Sequence, residues 1–292
     1  MLWLKVGLAL VGILVLAIAL YGSWEVTGIP YLAVPYTPND YGFVSEEVSF
    51  QSFDHLKLTG WFLPASRPSN ATIVILHGLG SNAGDMLLNS LCLARAGLWN
   101  LFLFNFRGHA DSEGHLTSLG PLELKDFESA LEFIKKMKPD ATRRLAVYGH
   151  SLGASVAIVG AARHPELVAV VAESPFARTR DTVAYFAKKF YGIPEFPFMH
   201  LALLITRLRL GISLWNFSPV DDIGKIAPRP LFIIHAERDQ RMPMSDTDAI
   251  VAAAGEPKEY WLVPGADHGE PYMVAKEEYD SRMSEFFRKV LP

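Results

Sequence analysis

Cysteine is almost absent from this chain of 292 residues. Cys92 stands alone, so no intrachain disulfide can form and stability must come from packing. It falls in an apolar stretch, Leu87 to Leu98, that reads as a helix, so a small buried thiol is expected. An excess of charge of one sign is also lacking. Lys+Arg 27 against Asp+Glu 31 leaves a net charge of −4, which points away from a nucleic-acid partner. No charged tail, repeat or low-complexity segment is present. Nor is there a well-formed metal motif. His109, Asp111 and His115 come nearest, but nothing close by completes a ligand set, so neither metal nor cofactor is expected. What the chain has in quantity is apolar residues, 50% of the total, enough for one large domain with a substantial core.

The longest uncharged run is N-terminal. From Val6 to Trp24 there are nineteen residues without a charge, long enough to cross a bilayer core of roughly 30 Å. Lys5 and the α-amino group precede it and Glu25 follows. The positive-inside rule then puts the N-terminus in the cytoplasm and the rest of the chain outside. Residues 1–27 are therefore expected to be a signal anchor. The alternative is a cleaved signal peptide and a secreted protein, since Ala17-Ile18-Ala19 has the small-x-small form of a cleavage site. A buried helix of a soluble domain is disfavoured, because the run is apolar on every face.

Residues 28–43, with Pro30, Pro35 and Pro38, read as an extended linker, and residues 44–292 as the main domain. The domain begins with period-two patterns, Val48, Phe50, Phe53 and then Leu56, Leu58, Gly60, Phe62. They predict an antiparallel pair turning near Asp54-His55. Six short apolar runs follow: Ile73–Leu76, Leu101–Phe106, Leu145–Tyr148, Val168–Ala172, Leu231–Ile234 and Tyr260–Val263. Helical patterns separate them, near Ala83–Ala96, Leu122–Met137, Leu152–Arg163, Ser245–Ala254 and Lys276–Val290. Such alternation predicts an α/β architecture, a mostly parallel central sheet of about eight strands flanked by helices on both faces. One connection is too long for a simple crossover. Residues 176–229 are rich in aromatic and basic side chains and are expected to form a helical cap over the site. Its Lys188, Lys189, Arg207 and Arg209 raise a second reading, contact with an anionic membrane surface, but an ordinary pair of cap helices is preferred.

The chemistry centres on Gly149-His150-Ser151-Leu152-Gly153, which follows one apolar run and opens a helical one. Strand, tight turn and helix in that order form a nucleophile elbow. Side chains at 149 or 153 would meet neighbouring backbone, and the strained turn exposes the Ser151 hydroxyl. A hydroxyl needs a base, and elbows of this type take their acid and histidine from later loops, in that order. Among nine histidines His268 fits, in the small-residue loop Pro264-Gly265-Ala266-Asp267-His268 after the last strand. Asp239, just past the preceding strand, is the best acid, with Glu237 as the alternative and Asp267 a weaker one. Backbone N–H groups of Leu79, in His77-Gly78-Leu79-Gly80, and of Leu152 are the candidate oxyanion donors. His77 is expected to brace its loop, His150 to point away from the nucleophile, and Arg107 to be ion-paired.

These pieces together resemble the α/β-hydrolase superfamily over roughly residues 44 to 290. They are His77-Gly78-Leu79-Gly80-Ser81-Asn82, Phe106-Arg107-Gly108-His109-Ala110-Asp111-Ser112, Gly149-His150-Ser151-Leu152-Gly153, Glu173-Ser174-Pro175-Phe176, Asp239 and Asp267-His268. Within it the chain is similar to membrane-anchored bacterial members of a serine aminopeptidase-like or dienelactone-hydrolase-like group. Members often carry Gly where this chain has Ala110, a position without catalytic consequence. The resemblance implies peptidase, esterase or thioesterase chemistry without fixing the substrate. The expectation is hydrolysis of an ester, thioester or related acyl bond through an acyl-serine. The anchor and apolar cap favour a small-molecule or lipid-like acyl substrate. An acyltransferase on the same triad and a non-catalytic, membrane-tethered binding protein are the alternatives.

Overall fold

The computed structural model describes residues 1–30 and 36–291, so positions 31–35 of the expected linker, Pro35 among them, lie outside the described residues. Eight strands form one sheet: β1 (Glu46–Gln51), β2 (Lys57–Leu63), β3 (Ala71–Leu76), β4 (Asn100–Phe104), β5 (Arg144–His150), β6 (Leu167–Glu173), β7 (Leu231–Ala236) and β8 (Lys258–Val263). Their order is β1-β2-β4-β3-β5-β6-β7-β8. The β1/β2 and β2/β4 pairs are antiparallel and every other pair is parallel. The predicted hairpin turns at Asp54-His55, with His55 at φ 67°.

Both faces of the sheet are covered, which is why the inner strands read as unbroken apolar runs rather than alternating ones. On β3, Val74 and Leu76 pack into one core with Phe127, Leu131, Val156 and Val159, from helices Pro121–Met137 and Leu152–Arg163. Ile73 and Ile75 pack into the other with Met86, Leu93, Met283 and Phe287. The single helix expected over Ala83–Ala96 is two, Ala83–Asn89 and Leu91–Ala96. Ser90 separates them, its hydroxyl bonded back to the Met86 carbonyl at 2.7 Å, a local competitor for helical hydrogen bonding.

Order 4-3-5 places a switch point at β3. The chain leaves β3 for β4 on one side and later returns to β5 on the other. In open parallel sheets the crevice beyond the carboxyl ends at such a point is the usual ligand site. Residues 176–229 cover this end of the sheet, chiefly with helices Thr179–Tyr191 and His200–Leu210.

The N-terminal helix, Leu2–Glu25, has 24 residues, about 36 Å at 1.5 Å per residue. Most of it touches no other part of the chain, leaving Leu8 and Ile13 about as exposed, at 65% and 64%, as surface side chains. Its end does not hang free. Ser23 is buried against the cap helix, where Thr206 Oγ1 and Ser23 Oγ are 3.0 Å apart. The Arg209 guanidinium donates to the Ser23 carbonyl at 2.8 Å and sits 3.7 Å over the Trp24 ring. Arg209, read as a candidate for anionic surfaces, is thus committed to the helix end. Lys189 is also engaged, donating to the Gln240 side-chain oxygen at 3.0 Å. Beyond the helix, the Thr27 carbonyl accepts from Thr117 N at 3.0 Å.

Candidate active site

Ser151 is the first residue past β5 and the N-cap of helix Leu152–Arg163. Its φ of 54° with ψ of −116° is unusual for a residue with a side chain, and such strain collects at functional turns. The packing shows why glycines flank it. A Cβ on Gly149 would overlap the Gly153 carbonyl, and one on Gly153 would overlap the Leu76 carbonyl. The elbow is tied behind by Ser151 N, which donates to the Glu173 carbonyl at 2.8 Å.

The loops after β7 and β8 bring in the partners. Ser151 Oγ lies 3.0 Å from His268 Nε2, and His268 Nδ1 lies 2.8 Å from Asp239 Oδ2. The Asp239 side chain is 1% exposed and that of His268 9%. Asp239 Oδ1 accepts from Arg241 N at 2.9 Å and Met242 N at 2.7 Å. Burial alone would raise the Asp239 carboxyl. The hydrogen bonds from His268 and these two N–H groups outweigh it and hold the carboxyl below its usual value. The alternatives are engaged elsewhere. Glu237 accepts from Gly265 N at 2.8 Å. Asp267 accepts from Gln240 N at 2.8 Å and from His268 N at 2.7 Å, closing its own loop.

The loop after β3 completes the rim, with Leu79 and Leu152 lining the same cavity as Ser151 and His268. Leu152 is at the first helical position, where the N–H has no partner within the helix. His77 braces this loop from below. Its Nε2 accepts from Phe106 N at 2.9 Å and its Nδ1 donates to the Gly78 carbonyl at 2.7 Å. His109, considered for a metal, instead accepts from Gly80 N at 3.2 Å and donates to the Arg107 carbonyl at 2.9 Å. Arg107 is ion-paired as its motif suggests, at 2.6 Å to Asp126 and 3.0 Å to Asp54. Those two histidines and that arginine hold the loops around the rim, and none lines the cavity.

Two features were not anticipated. Behind the elbow, Glu173 is fully buried and accepts from Tyr148 at 2.7 Å and Tyr279 at 2.6 Å. Burial raises its carboxyl above the ordinary value against those two hydrogen bonds. A charged residue closing an otherwise apolar strand was the available signal. The second is a cavity of about 280 Å³ in front of Ser151, lined largely by apolar side chains such as Leu119, Phe176, Val183, Phe186 and Met199. Part of its wall is the N-terminal helix.

The family model for serine aminopeptidases of type S33 matches residues 67–211. The esterase Pf2001 of Pyrococcus furiosus superposes with a TM-score of 0.73 at 28% identity, covering 91% of this chain and 98% of that one. The Bacillus subtilis protein YqkD is 28% identical over 254 residues, 81% of each chain. The Arabidopsis thaliana α/β-hydrolase domain-containing protein WAV2 is 25% identical over 96% of this chain and 93% of its own. Sheet order, elbow and these likenesses agree, and the chain is an enzyme of the α/β-hydrolase superfamily.

Proposed function

We propose that this enzyme is a serine hydrolase that cleaves an ester, thioester or related acyl bond through an acyl-Ser151 intermediate. The observation that carries the reading is the hydrogen-bonded line from Ser151 Oγ through His268 to Asp239, at a strained turn facing an apolar cavity. In this reading His268 Nε2 takes the Ser151 proton as Oγ attacks the acyl carbon. Asp239 holds the imidazole with Nδ1 protonated and stabilises the imidazolium. The N–H groups of Leu79 and Leu152 receive the oxyanion, each contributing about 3 kcal/mol to the transition state. His268 returns its proton to the departing alcohol, thiol or amine. Water, deprotonated by the same nitrogen, then attacks the acyl carbon, and as the acyl–Oγ bond breaks His268 returns that proton to Ser151 Oγ, releasing the acid and free Ser151.

The similar Pyrococcus furiosus protein is called an esterase, which weighs toward an oxygen ester as the bond. The length and exposure of the N-terminal helix support a membrane-spanning segment, its bonds to Thr206 and Arg209 favour an uncleaved anchor over residues 1–27, and Lys5 before it favours a cytoplasmic N-terminus with the catalytic body outside. Residues 28–43 then form the connection and 44–292 the catalytic domain, with 176–229 as its cap. A fluorophosphonate probe is expected to label the wild-type protein, and Ser151→Ala is expected to abolish labelling. Equal labelling of the folded variant removes Ser151 from the role.

A further inference from the structure

The cavity wall contributed by the N-terminal helix is not a chance touch. Ile18, Tyr21, Gly22 and Glu25 line it, and their spacing of three, one and three places all four on one face over the last two turns. A facing stripe comes from the cap helix, where Thr179, Thr182, Val183 and Phe186 repeat the same spacing and line the same cavity. The two helices are fixed to the cap and to each other. Gly22 packs against Ala202, whose Cβ lies at ordinary contact distance, 3.5 Å, from where a Gly22 side chain would begin. The Tyr191 hydroxyl donates to Glu25 at 2.7 Å. Together with the Ser23 contacts of Thr206 and Arg209, these bonds hold the helix end in register with the cavity.

We propose that this helix is the wall of an acyl-chain channel as well as an anchor, and that the substrate is an aliphatic acyl ester drawn directly from the bilayer. The proposal rests on the serine-hydrolase and anchor readings above. Two magnitudes support it. The cavity of about 280 Å³ is many times the roughly 10–15 Å³ needed to admit one water-sized group, so it has room for several chain carbons beside the ester. Ile18 lies seven residues before Glu25, about 10 Å further along the helix. With the helix end at the membrane surface, the Ile18 side of the cavity then sits at the depth where acyl chains begin. A chain longer than the cavity leaves its remainder in lipid, so only the ester and the first carbons are desolvated by protein.

The test uses the full-length protein reconstituted in dioleoylphosphatidylcholine vesicles, with p-nitrophenyl acetate and p-nitrophenyl palmitate as probes. The readout is the palmitate-to-acetate ratio of kcat/KM. Ile18→Trp, which fills the channel from the helix side, is expected to lower this ratio at least tenfold. Leu10→Trp, the same substitution at a 62% exposed position away from the cavity, is expected to leave it within twofold. Palmitate ester in the protein's own vesicles is expected to be cleaved at least tenfold faster than the same ester supplied in separate vesicles. An unchanged ratio in Ile18→Trp overturns the channel, and equal rates from the two vesicle populations overturn the bilayer route. Fluorophosphonate labelling reports whether each variant is folded. If Ile18→Trp loses labelling, Ala202→Phe narrows the same passage from the cap and carries the same expected ratio. Wild-type protein that cleaves neither ester and takes no probe refutes the serine-hydrolase reading instead.

Discussion

His150 adjoins the nucleophile, and its environment has a measurable consequence for stability. The ring is buried, Nε2 finds no hydrogen-bond partner among the described residues, and its centroid is 5.1 Å from that of His268. Burial, and then repulsion from His268, push its pKa down to about 3. In the unfolded chain a histidine titrates near about 6.5. Between those values the unfolded chain binds a proton that the folded protein refuses, so stability is complete above about 6.5 and falls as pH drops toward 3. Each unit amounts to about 1.36 kcal/mol. At pH 5, about 1.5 units below the unfolded value, His150 alone costs about 2 kcal/mol. With an unfolding entropy of about 2.1 cal/mol/K per residue, a chain of this size loses roughly 3 °C in Tm. Melting of the full-length protein in detergent, followed by tryptophan fluorescence at pH 7.5 and pH 5, measures it. His150→Gln keeps a neutral polar side chain without the titration. Its loss of Tm between the two pH values is expected to be smaller than that of the wild type by that amount. His77, His109 and His235 are also pushed down by burial, but they remain in both proteins and cancel in the comparison. An identical pH-dependent loss in the two proteins would falsify the assignment of a neutral, proton-refusing His150.

The other expectations concern the site, a buried ion pair and the anchor. Asp239→Asn is expected to lower kcat by about 10⁴, because the imidazole loses the partner that sets its tautomer. Glu237→Gln, which acts on a carboxylate bonded to Gly265 instead, is expected to change kcat less than twofold, and the reverse ranking in ester hydrolysis would reassign the acid. Arg107→Met strands the fully buried Asp126 carboxylate and is expected to cost about 3–5 kcal/mol in chemical denaturation. Arg143→Ala, in a pair whose side chains are 67% and 90% exposed, is expected to cost under about 1 kcal/mol, and equal costs refute the distinction. Full-length protein is expected to stay with membranes after alkaline carbonate washing, and its appearance in the supernatant refutes the anchor.

The parts of this molecule that can be read from sequence are those where burial leaves a one-dimensional trace. β3 is covered on both faces, so Ile73 to Leu76 is unbroken and apolar. Helix Leu152–Arg163 begins between the two elbow glycines, Gly149 and Gly153. Choosing among acids was harder, because Glu237 and Asp239 both lie just past β7. The difference is made by the chain turn, which the Arg241 and Met242 N–H groups fix on Asp239 Oδ1, leaving Oδ2 for His268. No period in the sequence encodes that turn. The break at Ser90 was likewise invisible, since the apolar pattern continues across it.

The N-terminal helix is the clearest case of a role that patterning does not record. In a soluble amphipathic helix, the face toward a cavity and the face toward water differ in polarity, and the stripe is legible. Here the cavity and the proposed lipid are both apolar, so the same residue types serve either side, and Ile18 cannot be told from Ile13 by composition. Past Lys5 the polar residues are confined to the close of the helix, where Tyr21, Ser23 and Glu25 fall together with Gly22. Three of them line the cavity, and Ser23 holds the helix to the cap. A polar residue in a membrane-spanning segment generally faces protein rather than lipid, whereas glycine alone does not, since a Cβ on Gly7 or Gly12 of the same helix would have nothing within 4 Å. By that argument the cluster should face the catalytic body, and Gly22, packed against Ala202, should tolerate large side chains less well than Leu10 or Ile13.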